Sequence, residues 1–232
     1  MKKVFLLALL IVAPLLATAQ FAPWKAGAIV SQQAVSSYGV KKCFAATPIP
    51  DDVWARMQGK SYAAGCPIPR TELRYVRLLH VDAEGNTRLG EMICNKAIAK
   101  KVAGIFRKLY ENKYPIECVR LIDDFDANDE KSMTANNTSC FCYRPVNGTT
   151  KLSNHAKGLA VDINPLYNPC VRTKNGKQTV EPAAGEPYAD RNKDFTYKLK
   201  RGDLAHSLFM KAGFKWGGDW QSLKDWQHFE KP

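Results

Sequence analysis

Two short segments constrain this chain more than anything else in it. One is Ser153-Asn-His-Ala-Lys-Gly-Leu-Ala-Val-Asp162. The other, near the C-terminus, is Asp225-Trp-Gln-His-Phe-Glu230. The chain has four histidines, and two of them, His155 and His228, sit in these segments. His155, Asp162 and His228 make up the imidazole and carboxylate set that catalytic zinc takes, with a fourth position left for water. Asp225 is then a candidate base for that water. Whatever the fold, it has to carry two distant stretches of chain to one point.

Local patterning offers a way to do so. Leu159 to Asn164 alternates, with Leu159, Val161 and Ile163 on one face and Ala160, Asp162 and Asn164 on the other, which predicts a strand. A turn at Ala156 to Gly158 brings His155 back towards Asp162. Trp226 to Glu230 reads as a second strand with His228 on the face of Trp226 and Glu230. Pairing these strands makes the three ligands converge at a sheet surface. Asp225 has the wrong parity for that face and reaches the site only from a turn leading into the strand, such as Gly217-Gly218 and Ser222 provide. Taken alone, Asp225 is a solvated turn residue. His80, at a strand end, and His206, within a helix, read as ordinary structural or surface residues. Trp216, Trp220 and Trp226 read as core packing.

The remaining chain predicts an α+β domain, a small antiparallel sheet flanked by helices. A short helix fits Asp51 to Gln58. Leu73 to Val81 and Thr87 to Ile93 form a hairpin across the turn Asp82-Ala-Glu-Gly-Asn86, although the alternation of the first strand is imperfect. Asn95 caps a helix from Lys96 to Glu111, whose apolar positions Ile98, Val102, Ile105, Phe106 and Leu109 follow helical spacing. Further strands are expected at Ile116 to Ile122, Cys140 to Arg144 and Phe214 to Trp216, and a helix at Gly202 to Lys211. The segment 123–139, rich in Asp and Asn, reads as a long surface loop, and 168–196 as an irregular insertion. Residues 20–69 read as an N-terminal arm or extension, and 70–232 as the main domain.

Composition bounds where such a chain works. Lys2 and Lys3, the apolar run Val4 to Leu16 and the small-residue site Ala17-Thr-Ala19 read as an export signal over residues 1–19, too short to span a bilayer comfortably. The expectation is a periplasmic or secreted monomer with no stable membrane insertion after cleavage. The formal net charge of +12 suits an anionic partner such as a cell-wall polymer. The basic residues are scattered rather than gathered into a helix stripe, which argues against a nucleic-acid partner. Seven cysteines in an oxidising compartment predict disulfides with at least one thiol left over, and Cys43 with Cys66 is the expected pair.

These residues resemble a family. Ser153-x-His155-x-x-Gly158-x-Ala160-x-Asp162 resembles the first zinc signature of the D-alanyl-D-alanine carboxypeptidases and dipeptidases, relatives of the hedgehog fold. Trp216-Gly-Gly-Asp-Trp220 with Asp225-x-x-His228-Phe-Glu230 resembles the second, closest to the L-alanyl-D-glutamate endopeptidase branch. The resemblance covers roughly residues 70–232. It implies zinc held by His155, Asp162 and His228, with Asp225 as general base where many relatives carry Glu. It also implies an arginine that steadies the carbonyl or oxyanion, for which Arg144 is the candidate; without the resemblance Arg144 reads as a structural ion pair. Ser153 and Ser139 are candidates to orient the site. The implied activity is hydrolysis of peptidoglycan stem peptides. The alternative is a catalytically weak, zinc-bearing cell-wall binding module.

Overall fold

The structure, a computed structural model, describes residues 21–146 and 149–231. The expected export signal lies outside the described residues. The fold is α+β, and among the described residues its strands form small antiparallel sheets of three strands each. No helix among those residues is long and apolar enough to cross a membrane.

The first sheet is the longest and most regular part. Strand β1 (Ala45–Thr47) pairs with β2 (Leu73–Val81), which forms a hairpin with β3 (Thr87–Asn95), in register from Leu73↔Asn95 to Val81↔Thr87. Helix α1 (Gln32–Tyr38) precedes this sheet in the chain, and α2 (Asp51–Met57) lies between β1 and β2. The imperfect alternation of β2 has a physical cause, because both faces of the hairpin are covered. Val76, Leu78, Met92 and Cys94 belong to the main core; Leu73, Tyr75 and Ile93 pack with Val53 and Met57 of α2; Leu79 and Leu89 pack with Val30, Ala34 and Val35. A strand buried on both sides loses the polar half of its pattern.

Helix α3 (Lys96–Glu111) follows β3 directly. The Asn95 side chain accepts the Ala97 N–H at 3.0 Å, the expected N-cap. Ile98, Val102, Ile105, Phe106 and Leu109 are all buried in the main core, each burial worth roughly 1.5–3 kcal/mol. The same core contains Val161, Ile163, Trp216 and Phe229. The strands that carry the candidate ligands are therefore built on the interior that α3 fills.

Those strands are short: β4 (Ala160–Asp162), β7 (Lys215–Trp216) and β9 (His228–Glu230), in the order β4-β9-β7. Helix α5 (Leu204–Lys211), capped by Asp203, packs Phe209 flat on Phe229 with ring centroids 4.3 Å apart. Trp216 and Trp226 pack nearby with their rings tilted by 59°, and the Trp216 indole N–H donates to the Trp226 carbonyl at 3.0 Å.

Several expectations are corrected. Ile116 to Ile122 and Cys140 to Arg144 are not strands. Their backbone groups bond to scattered partners instead, as where Phe141 N–H donates to Ile93, Cys142 to His155 and Tyr143 to Ser61. The segment 123–139 is not a surface loop: it carries helix α4 (Asp129–Thr134), and Asp123, Ser132, Asn136, Asn137 and Thr138 are buried. Residues 168–196 are not irregular throughout, since β5 (Cys170–Lys174) and β6 (Lys177–Glu181) form a hairpin. The expected strand Trp226 to Glu230 is broken, and β8 (Lys224–Asp225) pairs with β5 rather than continuing into β9. All seven cysteines are free. Cys43 packs with Leu79 and Leu89, whereas Cys66 packs with Ile49 and Val53, so the expected pair is split between two clusters.

Candidate metal centre

His155 opens a one-turn 3-10 helix, His155–Lys157. The Ser153 hydroxyl caps that turn by accepting the Ala156 N–H at 3.1 Å and donates to the Arg144 carbonyl at 3.2 Å. The turn ends at Gly158 in the left-handed region, φ +67, where a Cβ would stand 2.7 Å from the backbone nitrogen of Asn95. Only glycine fits both the conformation and the contact. Asn95 N–H donates to the Gly158 carbonyl at 2.8 Å, fixing the turn to the end of β3. The chain then enters β4, which pairs with β9 so that Asp162 lies directly opposite His228. Ser139 contributes through its backbone, exchanging both hydrogen bonds with Asp162 at 3.0 and 3.2 Å.

The predicted convergence is present. His155 Nε2 and His228 Nδ1 are 3.2 Å apart; His155 Nε2 and Asp162 Oδ2 are also 3.2 Å apart, and His228 Nδ1 and Asp162 Oδ1 are 2.9 Å apart. All three residues are buried. Bonds of about 2.0–2.1 Å at tetrahedral angles would set ligand atoms about 3.3 Å apart, so the triangle has the dimensions zinc requires.

The outer hydrogen bonds sharpen this fit. His155 Nδ1 lies 2.6 Å from the Cys140 carbonyl, which can only accept, so Nδ1 carries the proton and a neutral ring turns its Nε2 lone pair inward. His228 Nε2 lies 3.3 Å from Glu230 Oε2, so that nitrogen donates and a neutral ring turns Nδ1 inward. Three acceptors then face one another in a buried space, an arrangement that calls for a cation at its centre. Burial opposes charge on His228, but hydrogen bonds to Asp162 and Glu230 outweigh it and push the imidazole up to about 10. Burial likewise opposes charge on Asp162, and the two imidazoles outweigh it, holding the carboxyl well below the usual carboxylate range.

Asp225 reaches the site from another sheet. In β8 it pairs with Cys170 of β5, which resolves the parity problem. The backbone of Gly217 passes so close that a Cβ there would come within 2.8 Å of the Asp225 Cβ and 3.2 Å of the His228 Cβ. Asp225 Oδ1 is buried without a hydrogen-bond partner. Burial, with the negative charge of Asp162, pushes its carboxyl up to about 6 against the pull of the imidazoles.

These residues line one cleft of about 820 Å³, together with Arg144, Arg172, Trp220 and Glu230. Arg144 forms an ion pair with Asp129 through Nε, and Asp129 holds the guanidinium in its charged form against the cost of burial. The ion pair and the place in the cleft wall are both realised. His80 and His206 lie elsewhere, buried: His80 Nδ1–H donates to the Ile116 carbonyl at 2.7 Å, and His206 Nδ1 accepts from Gly202 at 3.1 Å. Trp220 is not core packing. Its ring stands 5.2 Å from that of His228 at the cleft. Sequence reasoning gave no role to Asn154, Glu230 or the Cys140 carbonyl. The alternation of His228 with Glu230 was the available signal for Glu230, and nothing local marks a backbone carbonyl.

No solved structure matches the chain. Over residues 147–231, a span that holds His155, Asp162, Asp225 and His228, the chain matches the family model of the D-alanyl-D-alanine carboxypeptidases.

Proposed function

We propose that this protein is a zinc peptidase that hydrolyses peptidoglycan stem peptides, as a D-alanyl-D-alanine carboxypeptidase or an L-alanyl-D-glutamate endopeptidase, in the periplasm or outside the cell. The observation that carries the reading is the triangle of inward-facing acceptors, His155 Nε2, Asp162 and His228 Nδ1, in the same cleft as Asp225, one of whose carboxylate oxygens is buried without a partner. The family match over the same residues supports it. The export signal read at residues 1–19 and the net positive charge suit work on an anionic wall polymer.

His155, Asp162 and His228 would hold the metal. Zinc supplies Lewis acidity and lowers the pKa of a water it binds towards ~7 from about 15.7. Asp225 is the base. It is half-buried, has one buried oxygen free of any partner, and sits near the ionisation range a base needs around neutral pH. It takes the proton of the attacking water and returns it to the leaving amine. Arg144, kept cationic by Asp129, offsets charge that develops on the substrate carbonyl oxygen, a contact worth about 3 kcal/mol.

Purified muropeptides digested with and without added zinc, followed by mass analysis, test this reading. Loss of a terminal D-alanine identifies a carboxypeptidase, and a cut after the first L-alanine identifies the endopeptidase. Asp225→Asn should retain zinc and lose about 10²–10⁴-fold in rate. Intact muropeptides under every metal would contradict the hydrolase and leave the binding module.

A further inference from the structure

The cleft holds a third carboxylate close to the ligand triangle, and it is engaged differently from Asp225. Glu230 Oε2 accepts the Asn154 side-chain N–H at 2.6 Å and lies 3.3 Å from His228 Nε2. Asn154 immediately precedes His155, and Glu230 lies two residues after His228 on β9, where it pairs with Ala160 of β4. One carboxylate oxygen therefore ties together the two segments that bear the imidazoles. Asp225, by contrast, leaves Oδ1 unpartnered.

We infer that Glu230, steadied by Asn154, is a positioning residue that orients His228 so that Nδ1, not Nε2, faces Asp162 and His155. The inference rests on the metal reading given above. Without the Glu230 acceptor, the imidazole is free to place its proton on Nδ1 and to turn Nε2 elsewhere, and the triangle loses a vertex. The carboxylate also raises the basicity of the opposite nitrogen, as carboxylate partners of metal-bound histidines do.

The test separates metal affinity from both turnover and folding. Zinc dissociation constants of the full chain, prepared metal-free, are measured by competition with a chromophoric chelator. Thermal unfolding of each metal-free variant is followed in parallel. Glu230→Ala should weaken zinc by about 10- to 100-fold. Glu230→Gln, whose amide oxygen can still accept from His228 and Asn154, should recover part of that loss. Asn154→Ala should weaken zinc by a smaller factor while its metal-free unfolding temperature stays near that of the unmutated protein. Should Glu230→Ala fail to fold, Glu230→Gln and Asn154→Ala carry the same comparison. Zinc affinities within twofold of the unmutated protein in every folded variant would overturn the role of Glu230 and leave the metal reading standing. An unmutated protein that binds no zinc would overturn the metal reading itself.

Discussion

The hairpin-and-helix region and the ligand-bearing region are built on opposite principles. In the first, β2, β3 and α3 are long, and almost every inward side chain is apolar: Val76, Leu78, Met92, Val102, Phe106. In the second, strands β4, β7 and β9 have at most three residues each, and Ser153, His155, Asp162, Gln227 and His228 are buried polar side chains. His155, Asp162 and His228 all lose water there, and each has a specific hydrogen-bond partner. The two regions share one interior, so the apolar region stabilises what the polar region would otherwise cost.

The contrast can be broken from either side. The largest effect on stability should come from the apolar side. Phe106→Ala removes a fully buried ring beneath the hairpin and should cost about 3–5 kcal/mol. Chemical denaturation measures it, and a loss below 1 kcal/mol would mean that α3 is not the foundation it is taken to be.

His80 gives the next effect. Burial, partly offset by its bond to Ile116, brings its imidazole down to about 4, below the 6.5 of an unfolded chain. Between those values the unfolded chain binds the extra proton, so stability is complete above pH 6.5 and falls as the pH drops towards 4. The loss should reach about 3 kcal/mol. The difference in unfolding free energy between pH 7 and pH 4, compared with that of His80→Gln, reports it; the same pH dependence in both proteins would contradict the assignment.

Gly158 is where the regions touch, and its replacement should have the smallest effect on stability. Gly158→Ala puts a Cβ against the Asn95 backbone in a left-handed conformation, which should cost about 1–3 kcal/mol. It should also weaken zinc binding, because the turn that presents His155 has to shift. A destabilised variant with unchanged zinc affinity would show that the two regions are less coupled than the shared carbonyl of Gly158 suggests.

The same contrast explains what could be read from sequence. The helical period of Ile98, Val102, Ile105, Phe106 and Leu109 and the cap at Asn95 were legible because one physical rule governs each residue there. The cluster of His155, Asp162 and His228 was legible because its residue types are scarce and chemically specific. The segments 116–122 and 140–144 have the apolar and β-branched content of strands, yet tertiary contacts set their backbone bonds. The segment 123–139 has the composition of a solvated loop. Its Asn137 is nevertheless buried, accepting from Arg120 N–H and donating to the Arg120 carbonyl and the Ser132 hydroxyl. Polarity in a sequence cannot distinguish a side chain in water from one whose partners are folded around it. Asp225 shows the limit most clearly. Its parity argues against the site so long as β8 and β9 are read as one strand, and the break between them becomes visible only once Cys170 is found as its partner.

If two imidazoles and a carboxylate, rather than any of the seven free thiols, form the metal site, zinc takes a sulfur-free shell. X-ray absorption on the protein loaded with one equivalent of zinc tests this most directly. The account predicts a first shell of nitrogen and oxygen alone at about 2.0–2.2 Å, lost in His228→Ala. A shell containing sulfur at about 2.3 Å, or one unchanged in His228→Ala, would contradict it.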